Sequence, residues 1–186
     1  MKKLPSFLLT LVTLSLLTAC GSASSTPQST AQQLYAFKTF SLAVPDDWRK
    51  ISKEDFSNTI PEETAAIFLK KIDGSDFIQN ANVVKESLNT DATGLEYAKA
   101  NLLLGSKAIT DYRPSSSQEI DVGGIKTVLH LFQARSASAE PLLNYSQTYF
   151  AQDRLGYTVT CISKPDDAVQ LQICDSIVKS FRFVKS

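Results

Sequence analysis

Histidine, methionine and tryptophan each occur once in this chain of 186 residues, and cysteine occurs three times. A single histidine argues against a His-rich metal centre, and a single methionine against a Met-rich groove that moulds itself to many partners. Excess charge is missing as well. Nineteen Lys and Arg balance nineteen Asp and Glu with no basic cluster, which speaks against nucleic-acid binding. Nucleophile-elbow spacing, G-x-S-x-G, is absent. So is a phosphate-cradling loop, because Gly123-Gly124 is followed by neither a helix nor Lys-Ser/Thr. What remains is ordinary globular composition, 43% hydrophobic, at a length that lets one domain bury roughly two-thirds of its unfolded surface.

The N-terminus carries an export pattern. Met1-Lys2-Lys3 is a short basic start, and the apolar stretch from Leu4 to Leu17 is interrupted by Pro5, Ser6, Thr10, Thr13 and Ser15. A membrane span needs about 20 apolar residues, so this reads as a signal peptide over residues 1–19. Leu17-Thr18-Ala19-Cys20, followed by Gly21, resembles the bacterial lipobox, in which the cysteine receives a diacylglyceryl thioether and becomes the new N-terminus. Cys20 is therefore the expected lipidation site, and the bilayer the first expected partner.

Two or three acyl chains anchor a protein stably where one holds it only marginally. Removing 19 of 186 residues leaves 167, with 17 basic and 19 acidic side chains and a net charge of −2. Charge does not draw such a domain to anionic lipid, so the lipid must hold it. Residues 20–34 are expected to be the lipidated cysteine and a flexible tether. The tract Gly21–Gln33 has no large apolar side chain to bury, and it spans some 20 Å at about 5–6 Å × √n. No Asp follows Cys20, which favours the outer membrane if the host has two.

Residues 35–186 are expected to form a single domain. Phe40, Leu42 and Val44 alternate on one face of a strand over Ala36–Val44, which stops at Pro45-Asp46-Asp47-Trp48. Ser52–Asn58 reads as a helical turn, and Thr64–Ile72 and Asn82–Leu88 as strands. Thr93 and Glu96 make a capping box ahead of a helix over Thr93–Ser106. Ile109–Val122 is extended, with Pro114 marking an edge or a bulge. Gly123-Gly124 suits a tight hairpin turn. Ile125–Arg135 is apolar on both faces, as a central covered strand would be. Leu142–Gln152 and Tyr157–Ser163 form a hairpin about Asp153-Arg154-Leu155-Gly156. Pro165-Asp166-Asp167 opens a helix whose stripe is Val169, Ile173, Cys174, Ile177, Val178 and Phe181, and Phe181–Val184 is an extended end. The class is α+β: a mostly antiparallel sheet of about six to seven strands with helices on its faces.

FSLAVPDDW near the start, then GGIKTVLHLF, NYSQTYFAQDRLGYTVTCISKPDD and a helix ending in IVKSFRF, are similar to the PsbP/Mog1-like superfamily. The resemblance covers Tyr35 to Val184, and its motifs are structural rather than catalytic. It implies a sandwich fold and, since bacterial members are often lipoproteins, an envelope location. Several plant members are lumenal photosystem II subunits. Their metal and partner sites find no matching residues here, and none is carried over.

Candidate chemistry is sparse. His130, between Leu129 and Leu131, is the sole histidine a triad could use, and a hydrogen-bonded structural role is the favoured reading. The acidic pairs Asp46-Asp47, Glu62-Glu63, Asp166-Asp167 and Asp73/Asp76 sit at turns or helix starts, where caps and solvated loops need them. Asp73-Gly74-Ser75-Asp76 lacks the later carboxylates of a Ca²⁺ loop. Tyr145, Tyr149 and Tyr157 fall at strand spacing, as core and cross-strand residues do.

Cys161 shares a strand face with Tyr157 and Val159, and Cys174 lies on the stripe of the next helix. Exported, the pair is expected to form a disulfide, with two buried thiols as the alternative. Two thiols and a distant histidine are too few ligands for zinc.

The expected protein is a monomeric, non-catalytic envelope lipoprotein with no cofactor and no metal. It binds an unidentified protein partner or supports an envelope complex. The alternative is a lipoprotein holding a small apolar molecule or lipid between the Ile125–Arg135 strand and the C-terminal helix.

Overall fold

The computed structural model describes residues 31–52, 55, 61–71, 74, 77–135, 138 and 140–184. The export segment, Cys20, most of the Ser52–Asn58 turn and the Asp73/Asp76 pair lie outside the described residues.

Among the described residues, ten strands and two helices build the domain. β1 (Gln32–Ala36), β2 (Phe40–Pro45) and β10 (Arg182–Phe183) form a small antiparallel sheet in the order β1-β2-β10. β3 (Arg49–Ile51), β4 (Thr64–Lys71), β5 (Ile78–Ser87), β6 (Thr110–Val122), β7 (Ile125–Arg135), β8 (Leu143–Gln152) and β9 (Leu155–Ser163) form the large one. Its order is β3-β4-β5-β9-β8-β7-β6, antiparallel throughout. α1 (Gly94–Ala108) packs on β7 and β8, and α2 (Ala168–Lys179) on β8, β9 and β2. The α+β class and the antiparallel pairing agree with the sequence pattern.

Strand alternation divides the core in two. On one face of the large sheet Phe68, Val83, Phe150, Tyr157 and Val159 meet Cys174, Ile177, Val178 and Phe181 from α2 and its end, with Phe40, Leu42 and Val44 of β2 closing the cluster. On the other face Tyr97 and Ala98 of α1 meet Val128 and Tyr149. Each fully buried large side chain contributes about 1.5–3 kcal/mol, so the α2 side dominates stability.

Four features depart from the sequence reading. The first strand begins at Gln32, inside the stretch assigned to the tether. The expected strand 36–44 breaks after Ala36, where the Phe37 amide donates to the Phe40 carbonyl (2.8 Å) and the two rings stack. That reversal pairs Ala36 with Ser41 and makes two strands of one. β7 is next to the edge rather than central, since β6 lies outside it. In α2, Asp167 is the N-cap, accepting from the Gln170 amide, so Pro165 and Asp166 precede the helix and Val169 is 65% exposed, off the stripe.

Two glycines of α1 behave oppositely. A Cβ on Gly94 would sit 2.7 Å from the Lys126 carbonyl oxygen, a backbone atom that cannot swing aside. Gly94→Ala is expected to destabilise by about 1–3 kcal/mol in urea denaturation. A Cβ on Gly105 meets just one atom, Ile109 Cδ1 at 3.6 Å, so Gly105→Ala should gain up to about 1 kcal/mol from helix propensity. Equal effects of the two substitutions would contradict this packing.

Candidate functional site

Alternation on β7, β8 and β9 sends Val128, His130 and Phe132, then Gln147 and Tyr149, then Thr158 and Thr160, toward the α1 side of the sheet. The register places Ser117, His130, Gln147 and Thr160 in one row across four strands. Pro114, Phe132, Tyr145 and Ile162 make the next row. The C-terminal half of α1 spans these rows without filling the space above them. A cavity of about 310 Å³ results, lined by Asn101, Leu102, Leu104, Gly105, Ile109, Tyr112, His130, Phe132, Gln147, Tyr149 and Thr158.

His130 is 2% exposed, and both ring nitrogens are engaged. Nδ1 lies 3.1 Å from the Ser116 carbonyl oxygen and 2.7 Å from Ser117 Oγ, and Nε2 lies 2.8 Å from Tyr112 Oη. A carbonyl can only accept, so the network assigns the proton to Nδ1, and Nε2 accepts from the Tyr112 hydroxyl. The ring stacks on Phe132 (centroids 4.9 Å), which stacks on Tyr145 (4.8 Å). Burial lowers the His130 pKa below the ordinary 6.5, against the opposing pull of the Ser116 carbonyl, so the imidazole is neutral at pH 7.

The remaining polar groups of the floor are tied to one another. The Gln147 amide donates to Thr160 Oγ1 (2.9 Å), and its oxygen accepts from the Tyr149 hydroxyl (2.7 Å). Tyr97 donates to Glu86 (2.5 Å) and contacts Thr158 Oγ1 (3.1 Å). Burial raises the pKa values of Tyr97, Tyr112 and Tyr149, so all three phenols stay protonated. No lining side chain carries charge at neutral pH.

No protein-family model and no curated protein matches the sequence. Solved structures do. The cyanobacterial PsbP protein CyanoP from Synechocystis sp. PCC 6803 aligns over 90% of this chain and 99% of its own, at 14% identity and a TM-score of 0.55. The fold is PsbP-like. LpqN, described as involved in cell envelope biogenesis of Mycobacterium tuberculosis, aligns over 83% of this chain and 91% of its own, at 13% identity and a TM-score of 0.55. PA94 from Pseudomonas aeruginosa aligns over 76% and 88%, at 17% identity and a TM-score of 0.50. Identities this low establish shared fold, and no residue role travels with it.

Within the PsbP-like sandwich the expected site residues scatter. Asp47 pairs with Lys70 (2.6 Å), Asp167 caps α2, and Glu62-Glu63 sit in the turn before β4. None of these acids lines the cavity. Among the described residues no three His, Cys, Asp or Glu come together as a metal site. Tyr149 and Tyr157 are core residues on opposite faces, and Tyr145 is the cross-strand partner of Phe132. Cys161 and Cys174 are bonded to each other, with Cα atoms 5.1 Å apart, tying β9 to α2. The sequence reading did not find Asn101, Tyr112, Ser117 or Gln147, because three of the four belong to His130's neighbourhood only through register and a bulge.

A pH test follows from His130. Its folded pKa is depressed, so the unfolded chain binds that proton more readily. The stability it contributes is complete above about 6.5 and is lost as pH falls through the lower folded value. His130→Gln should flatten this acid limb by at most about 1.4 kcal/mol per pH unit, one proton's worth, in urea titrations between pH 7.5 and pH 5. Identical slopes for both proteins would contradict the assignment.

Proposed function

We propose that this chain is a lipid-tethered, non-catalytic binding protein of the cell envelope. Acylated Cys20 and a short tether hold the PsbP-like domain at a membrane, and the domain acts by binding a protein partner or supporting an envelope complex. The observation that carries the non-catalytic reading is His130. The chain's single histidine is neutral, buried and committed at both nitrogens, and no carboxylate or thiol lies beside it in the cavity. The envelope role described for LpqN, which shares the fold, supports the location.

Crosslinking on intact cells tests it. The full lipoprotein, compared with an anchor-and-tether version lacking residues 35–186, is expected to recover a protein that the shortened form does not. Identical recoveries would contradict a binding role for the domain.

A second reading, binding of a small molecule, is favoured by the cavity itself. Its place differs from the sequence expectation. The space between sheet and C-terminal helix is filled by Cys174, Ile177, Val178 and Phe181, none more than 1% exposed. The room lies on the opposite face, beneath α1.

A further inference from the structure

We propose that the cavity beneath α1 binds an uncharged, mainly apolar small molecule that carries one hydroxyl or N–H donor. The inference deepens the small-molecule reading above and needs no lipid anchor. At about 310 Å³ the cavity stands near the lower end of ligand pockets, which run from about 300 to 1,000 Å³. Leu102, Leu104, Ile109 and Phe132 give it an apolar body, and Leu104, 67% exposed, stands at its rim. A charged ligand would leave water for a wall with no counter-charge, at heavy cost.

The choice of a donor comes from Tyr112. Its hydroxyl proton is committed to His130 Nε2, because Nδ1 holds the imidazole proton against the Ser116 carbonyl. What Tyr112 has left toward the cavity is lone pairs. Asn101 adds a second acceptor: its amide nitrogen donates to the Tyr97 carbonyl (3.0 Å), and its oxygen has no partner among the described residues. A ligand hydroxyl or N–H there finds an acceptor on either wall, whereas an ether or ester oxygen would face lone pairs.

Calorimetric titration of the full chain carrying Cys20→Ala, which removes the protein's own acyl groups, decides it with three probes of one shape. 4-Hexylphenol should bind, 4-hexylanisole about tenfold more weakly, and 4-hexylbenzoate at pH 8 weaker by at least the same factor. Tyr112→Phe, which removes one of the two acceptors, should narrow the difference between phenol and anisole. Gly105→Leu, whose side chain enters the open space beside Ile109, should abolish binding of all three without lowering the melting temperature. Equal affinities for phenol and anisole in the unaltered cavity would overturn the donor assignment while leaving a binding cavity. No heat from any probe up to its solubility limit, or undiminished binding by Gly105→Leu, would overturn the cavity as a ligand site altogether.

Discussion

Replacing Cys161 and Cys174 together by alanine is expected to lower the unfolding free energy by about 3 kcal/mol and the melting temperature by roughly 6–12 °C. The bridge joins residues 13 apart in sequence, and in the chain-entropy account closing such a loop restricts the unfolded state by about that amount. It also fixes α2 to β9 at the centre of the larger core, where both cysteines are no more than 1% exposed. Adding reductant during unfolding should reproduce the loss, and the double variant should then be insensitive to reductant. Alkylation of the exported, denatured but unreduced protein offers an independent check. Labelling of both cysteines in that state would refute the bridge in the cell.

Cys20→Ala should move the protein almost completely from the membrane pellet to the soluble fraction. The proposed anchor is two or three acyl chains on one residue, and a single chain already holds only weakly. Among the described residues no helix is long and apolar enough to cross a membrane, and the net charge of −2 after cleavage gives no pull toward anionic lipid. High salt should therefore leave the unaltered protein pelleted, because the proposed attachment is apolar. Membrane retention of Cys20→Ala would contradict the lipoprotein reading and leave the domain's binding chemistry untouched.

The parts of the fold that were legible are those where local chemistry and periodicity agree. Thr93 and Glu96 announce the cap of α1, and both reciprocal bonds form. Gly123-Gly124 takes positive φ at both positions and turns β6 into β7. Counting outward from that turn, from the pair Val122 and Ile125, sets Ser117 opposite His130, so part of the cavity floor was within reach of the sequence. The count holds for Ser116 opposite Leu131 and fails beyond it. A bulge between Pro114 and Ser116 shifts the register, and a second between Thr110 and Arg113 follows, so nothing local says that Tyr112 reaches the imidazole.

Other misses have equally specific causes. The turn at Phe37–Thr39 contains no glycine, proline or asparagine to mark it, whereas the expected hairpin about Asp153-Arg154 does form, with both of those residues at positive φ. Gln32 and Gln33 read as linker by composition, and they join a strand because β2 offers an unpaired edge. The cavity itself is a tertiary product. It exists because α1 covers two strands of a seven-stranded sheet and carries in its C-terminal half Leu103 and Leu104, both more than 60% exposed, instead of side chains that reach the floor.

Hydrogen–deuterium exchange of the protein in its host's membranes, set against the same protein purified and stripped of small molecules, tests the central claim most directly. A domain that works by binding at the α1 cavity should show slowed exchange in membranes across Asn101–Tyr112, with α2 and the small sheet unchanged. Unchanged exchange over Asn101–Tyr112, or protection confined to the α2 side, would contradict it.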